Sequence, residues 1–362
     1  MSSILYYVTG HGFGHAVRAM QVMRALAQAE PELRSYVRTS APQWLFHDPK
    51  TPIDYSQQTL DVGIIQTDSL AMKLGDTLAA CQALYSDPQP LIDTELSFIK
   101  AHDIDLIVGD APPLAFEIAA QAGVPSVAIA NFTWDFIYRA YLEQYPGFAP
   151  VIETIIRGYS QATLALTLPY HPCASTMFPR QEAIPWISRT SRLTKRAARR
   201  RFTLPQSAAI VLLSLGGMGL DRLPWKRLAQ QKDYYFVTTG SARQRDGNLL
   251  TIPVSHNDYV DLLRAADAVV AKPGYGIVAD VLAQRLPILY TDRGEFAEYP
   301  RLVQALGECA TAAFIANADL LGGDMQPHLD RLLARPPHWP PVDLNGAEVA
   351  AQKILSLFAS SR

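Results

Sequence analysis

The chain has 362 residues, with 32 basic and 34 acidic side chains and a net charge of −2 at neutral pH. That length exceeds what a single hydrophobic core usually serves, so two domains are expected. The balanced charge excludes a global field that would recruit nucleic acid or an anionic membrane. Cys81, Cys173 and Cys309 are the three cysteines, and their wide separation has neither metal-knuckle nor redox spacing, so they read as buried thiols. The N-terminus shows no signal-peptide pattern and no apolar run reaches the length of a bilayer span. A cytoplasmic location is expected, with membrane contact at most peripheral.

In chain order, residues 4–8 form a β-rich run that ends in Thr9-Gly10-His11-Gly12-Phe13-Gly14-His15. A helix is expected over 16–29, where Val17, Met20, Met23, Ala25 and Leu26 recur at helical intervals. Residues 104–108 read as a strand, 114–121 as a helix and 126–129 as a strand, with Gly123-Val124-Pro125 as punctuation. Residues 169–207 carry Pro169, Pro172, Pro179, Pro185 and Pro205 with weak periodicity, which marks a linker. Strands follow at 209–215, 234–239 and 268–271, then a helix at 278–284, a strand from 288 and an amphipathic helix at 346–358. Such alternation calls for parallel sheets covered by helices on both faces. The expected fold is α/β, with two doubly wound Rossmann-like domains at 1–168 and 208–344 facing a cleft. The segment 345–362 is a final helix free to return to the first domain. Open parallel sheets bind ligands at their strand C-termini, which puts the functional site between the domains.

The most informative segment is Lys272-Pro273-Gly274-Tyr275-Gly276, which turns a strand into a helix that carries Asp280. Free backbone N–H groups and the positive end of a helix dipole meet there, the ordinary setting for a phosphate. Lys272 adds a full charge, and Asp280 stands at a distance that suits a ribose diol. At the other turn, Gly10, Gly12 and Gly14 let the backbone approach a ligand, and His11 and His15 are candidate proton acceptors. Asp110, following the strand 104–109, is placed to orient an imidazole, or to cap the next helix. Singly, each of these residues has an ordinary structural reading; together they describe a nucleotide pocket opposite a base.

These residues resemble the GT-B glycosyltransferases that use nucleotide sugars. Gly14-His15 before an apolar helix is similar to the glycine-histidine of UDP-glycosyltransferases, whose histidine is the catalytic base. Asp110, followed by Ala119-Ala120-Gln121-Ala122-Gly123-Val124-Pro125, is similar to the aspartate that supports it. Lys272 through Asp280 looks like the donor signature, in which the first residue meets the diphosphate and the last holds the ribose. Gly216, Gly217 and Gly219 look like the glycine loop of the peptidoglycan N-acetylglucosaminyltransferase. The stretch from Tyr6 to Arg18 and the Lys272 motif resemble the glycosyltransferase-like N-terminal region of plant L-arabinokinases. Two departures are visible: Lys272 stands where the family has histidine, and the acidic-glutamine pair that grips the sugar has its counterpart, two residues late, in Glu298-Tyr299.

The resemblance implies an inverting, metal-independent transferase that takes a sugar from a nucleoside diphosphate, uridine by default, to a hydroxyl acceptor. No cofactor is expected beyond that co-substrate. His15 is then the catalytic base with His11 as its substitute and Asp110 orienting it. Gly216, Gly217, Gly219, Lys272, Gly274, Tyr275, Gly276, Asp280 and Glu298 bind the donor. The acceptor, a small molecule or a lipid-linked one, would be shaped by loops at 61–73 and 131–150, where Tyr138, Tyr141, Tyr145 and Phe148 are stacking or core residues. A nucleotide-sugar epimerase or hydrolase, or a non-catalytic sugar-nucleotide binder, would share this pocket.

Other signals are weaker. The glycines of the first turn do not follow the dinucleotide spacing, although Arg38 would suit an NADP phosphate. Asp103-Ile104-Asp105 enters a strand rather than leaving one, against a metal-binding role. The run Arg189, Arg192, Lys195, Arg196, Arg199, Arg200 and Arg201 reads as a solvated helix face rather than a nucleic-acid or lipid patch.

Overall fold

The computed structural model describes residues 2–66, 72–172, 177–215 and 223–360. Cys173 and the glycines Gly216, Gly217 and Gly219 lie outside these described residues. Two seven-stranded sheets form the frame. The first contains β1 (Ser3–Val8), β2 (Arg34–Thr39), β3 (Asp54–Gln57), β4 (Leu106–Asp110), β5 (Ser126–Ala130), β6 (Leu164–Thr167) and β7 (Gln181–Ala183). Its order is β3-β2-β1-β4-β5-β6-β7 and every pairing is parallel.

The second sheet contains β8 (Ala209–Ser214), β9 (Tyr234–Thr239), β10 (Gln244–Asp246), β11 (Leu249–Ile252), β12 (Ala268–Ala271), β13 (Ile288–Thr291) and β14 (Ala312–Ile315). Its order is β10-β11-β9-β8-β12-β13-β14, with only β10 running antiparallel, as a hairpin with β11. This is the doubly wound pair expected from the alternation of strands and helices.

Helices α1 (Phe13–Ala29), α2 (Leu74–Ser86), α3 (Gln89–Ala101), α4 (Leu114–Ala122), α5 (Trp134–Arg139) and α6 (Phe148–Tyr159) accompany the first sheet. The second is accompanied by α7 (Lys195–Arg201), α8 (Trp225–Gln230), α9 (Tyr259–Ala265), α10 (Tyr275–Gln284), α11 (Tyr299–Cys309), α12 (Asn317–Gly322) and α13 (Gln326–Leu333). The final helix, α14 (Gly346–Ser360), packs on α1. Strands β1, β4 and β5 are buried along their whole length, as parallel strands covered on both faces must be, and their interiors are apolar rather than alternating.

Residues 169–207 are not a featureless linker. β7 is the edge of the first sheet, while α7 packs on α9 of the second. The chain crosses between domains near Trp186 and crosses back near Asp343. The two crossings are bonded to each other, Trp186 N to Asp343 O at 3.1 Å and Gly346 N to Trp186 O at 3.0 Å. A side chain on Gly346 would lie 2.2 Å from the Pro185 carbonyl oxygen, so the crossing needs glycine there.

The basic run is mostly the solvated face expected, with Arg192, Lys195, Arg196, Arg200 and Arg201 exposed, but it is also tied down. Arg199 is buried and bonds Asp267 and the carbonyl of Ala265, Lys195 pairs with Asp267, and Arg201 pairs with Asp258 and Asp261. These charges fasten α7 to the second domain. Among the described residues no helix is long and apolar enough to cross a membrane.

Candidate active site

The C-terminal ends of the two sheets face each other across a cleft of about 1320 Å³. Its walls include His11 and His15 from one side and Lys272, Gly274 and Glu298 from the other. The two glycine turns meet closely: a Cβ on Gly276 would stand 3.7 Å from the Cα of Gly14. α1 begins at Phe13, three residues before the expected start, because Gly12 takes a positive φ of 75° that turns the chain straight from β1 into the helix. His15 therefore sits in the first turn of α1 rather than in a preceding loop. α10 starts at Tyr275, directly after the extended N-cap Gly274, so its open N–H groups face the cleft beside Lys272.

Asp110 is the last residue of β4 and is fully buried. It does not cap α4, whose N-cap is Pro113. Its Oδ1 lies 2.7 Å from Nδ1 of His15, and Nε of Arg18 donates to its Oδ2 at 2.9 Å. A guanidinium nitrogen of Arg18 also lies 3.0 Å from His15 Nδ1. Two donors cannot bond each other, and a bare Nδ1 would repel the carboxylate, so Nδ1 carries the hydrogen that Asp110 accepts. That leaves Nε2 of the neutral ring as the proton acceptor. Burial by itself would raise the Asp110 pKa, but Arg18 and then His15 outweigh it and hold the carboxyl below its usual range.

Arg18, which the sequence shows only as the end of the first motif, joins the two domains. Its Nη1 donates to Asn131 Oδ1 at 2.7 Å, and Asn131 donates in turn to Glu298. Glu298 also pairs with Arg293, which donates to the Pro273 carbonyl at 3.1 Å and lies over the Phe296 ring. The guanidinium of Arg18 stands 5.3 Å from the centre of the Tyr275 ring. The signal for Arg18 was its spacing, three residues after His15 on a helix face that is otherwise apolar. Nothing comparable pointed to Asn131 or Arg293.

His11 lies edge-on to Trp134 and parallel to Phe296, at 5.3 and 6.0 Å between ring centres, and its Nδ1 accepts from the Ile64 N–H. Burial, then Arg293, His15 and Lys272, push its pKa down to about 3. Asp61, on the same wall, accepts from Thr9 and from the Trp134 indole, and burial raises it to about 6.

Asp280 differs from the expectation. It is 2% exposed, and its oxygens accept from the Arg189 backbone N–H at 2.9 Å and from the Arg189 guanidinium. The cleft wall at that place is formed by Arg189, not by the carboxylate. Arg38 is committed to Glu95 in a buried pair, which removes the arginine that an NADP phosphate would need. Tyr138, Tyr141 and Phe148 are core, with at most 3% exposure, while Cys81 and Cys309 are buried free thiols.

Three half-buried histidines make the fold acid-sensitive. His11, His171 and His256 are pushed down by burial, to about 3, 4 and 4. Between these values and the unfolded value near 6.5, the unfolded chain holds protons that the folded chain does not, so stability is complete above pH 6.5 and is lost as pH falls. Asp61, raised to about 6, acts in the opposite sense but is a single group. The denaturation midpoint should be lower at pH 4.5 than at pH 7.5, with a shallower dependence in His11→Gln. A midpoint that is flat or rises on acidification would contradict this.

A model of glycosyl transferase family 1 matches residues 2–295. The L-arabinokinase of Arabidopsis thaliana is 28% identical over 359 residues, 96% of this chain, which spans about a third (33%) of that protein's length. Among solved structures, the calicheamicin glycosyltransferase CalG4 superposes with a TM-score of 0.63 at 13% identity, covering 99% of this chain and 95% of its own. UGT89C1 of Arabidopsis thaliana, complexed with UDP, gives 0.59 at 13% identity, covering 98% and 94%. UGT71G1 of Medicago truncatula, complexed with UDP-glucose, gives 0.60 at 11% identity, covering 100% and 94%. The shared architecture is that of the GT-B fold.

Proposed function

The chain belongs to glycosyl transferase family 1, and from that membership and the chemistry of its cleft we propose that it moves a sugar from a nucleoside diphosphate to an acceptor hydroxyl, inverting the anomeric carbon and using no metal ion. The observation that carries this reading is the His15–Asp110 pair in the same cleft as the Lys272 turn. His15 Nε2 removes the hydroxyl proton while the acceptor oxygen forms a bond to the anomeric carbon. The bond from that carbon to the diphosphate oxygen breaks, and its electron pair leaves with the diphosphate. Lys272 and the open N–H groups of α10 meet that charge, which is the role a metal ion would otherwise fill. Arg189, anchored on Asp280, borders the ribose. Solved relatives of the same fold that hold UDP and UDP-glucose support uridine diphosphate as the carrier.

Calorimetric titration with a panel of nucleoside diphosphates and their sugars tests the donor side. One nucleoside diphosphate should bind, and Lys272→Met should weaken it about 10- to 100-fold, the worth of a hydrogen bond from a charged donor. Absence of binding by every member of the panel would overturn the proposal.

A further inference from the structure

The cleft has two ends, and the strand orders tell them apart. On one side of the central strands β1 and β12, the ends of β4 and β5 meet the loop after β13, through Asn131 and Glu298. On the other side, the segment after β2 meets the loop after β11: Asn257 donates to the His47 carbonyl at 3.1 Å, and the Trp44 and His256 rings are 5.9 Å apart. The Lys272 turn, at the end of β12, lies between them. If the diphosphate sits on that turn, as the proposed function requires, the sugar must extend toward the His15 pair on the β4 side. The nucleoside is attached to the other end of the diphosphate, so it must extend toward Trp44 and His256.

What stands there suits a flat aromatic ligand. Trp44 is 50% exposed although it lines the cleft, and it is held edge-on by Phe13, itself 38% exposed, at 5.2 Å between ring centres. Large aromatic faces are seldom left to water in a cavity without an occupant. His256, across from Trp44, has a buried Nε2 with no hydrogen-bond partner among the described residues. The open indole face offers the stacking surface by which a nucleobase is ordinarily held, and His256 borders the same space.

We propose that Trp44, from the first domain, stacks on the donor's nucleobase while the Lys272 turn of the second holds the diphosphate, so that the nucleotide is clasped by both domains. Phe13 and His15, two residues apart in one turn, then serve opposite ends of the donor: Phe13 braces the base platform and His15 acts at the sugar. This inference rests on the donor reading above.

The test compares nucleoside diphosphate with inorganic pyrophosphate on the full chain. Trp44→Ala should weaken the nucleoside diphosphate about 5- to 150-fold, the range for loss of one aromatic stack, and leave pyrophosphate binding unchanged. Trp44→Phe should retain most of the affinity and, because the side chain is half-exposed, confirms that the site itself is intact. Equal weakening of both ligands, or nucleoside diphosphate binding that survives Trp44→Ala unchanged, would overturn the stacking role while leaving the donor reading in place. If the parent protein binds no nucleoside diphosphate, the donor reading fails first and this inference falls with it.

Discussion

Replacing His15 with alanine is expected to lower turnover by about 10²–10⁴-fold, the usual contribution of a positioned general base, while donor affinity stays close to that of the parent. The expectation comes from the bond between Nδ1 and Asp110, which fixes the tautomer and leaves Nε2 as the acceptor. His11 is a poor substitute: its Nδ1 is occupied by the Ile64 N–H, and surrounding positive charge and burial keep it at about 3. Asp110→Asn should fall in the same range, because an amide can present its N–H to the ring and favour the wrong tautomer. Single-turnover kinetics beside calorimetry separate the outcomes. Unchanged turnover in His15→Ala would remove the base assignment, and lost donor binding would make the residue a binding group instead.

Arg18→Met is expected to cost about 3–5 kcal/mol of stability, the penalty for removing one partner of a buried ion pair. Arg18 is 3% exposed and Asp110 is fully buried, so the carboxylate left behind would face His15 alone. Asn131 would lose its donor as well. The sharper measurement is the double variant Arg18→Met with Asp110→Asn, in which no uncompensated charge remains. Chemical denaturation should show it more stable than Arg18→Met alone. Equal stability of the two would mean that Arg18 contributes packing rather than charge.

The sequence exposed whatever is local. β9 and β12 have the bounds that their β-rich runs suggested, and β1 and β4 differ by one or two residues at their ends. The glycine turns do lie at strand ends, although both helices begin inside them: Gly12 turns the chain into α1 through its positive φ, and Gly274 is the extended N-cap of α10. Contacts made at long range left no comparable trace. Arg189 meets Asp280 over 91 positions, and Asn131 meets Glu298 over 167, so neither periodicity nor spacing could reveal them. That is why Asp280 reads as a ribose ligand in the sequence and as the anchor of Arg189 in the structure. The basic run reads correctly as a largely exposed helix face, but the partners of Arg199 and Arg201, which are Asp258, Asp261 and Asp267, are likewise remote in sequence. Arg18 was within reach, since a charge on an apolar helix face next to a candidate base demands a partner.

The two bonded crossings at Trp186 and Gly346 set the mechanics of the molecule. Tethered domains joined by one segment can drift, roll and twist; here paired backbones, held by mutual hydrogen bonds and a contact too tight for any side chain, act as a flat strap with one compliant direction. Sliding one domain past the other would have to break both bonds, a cost that bending across the strap avoids.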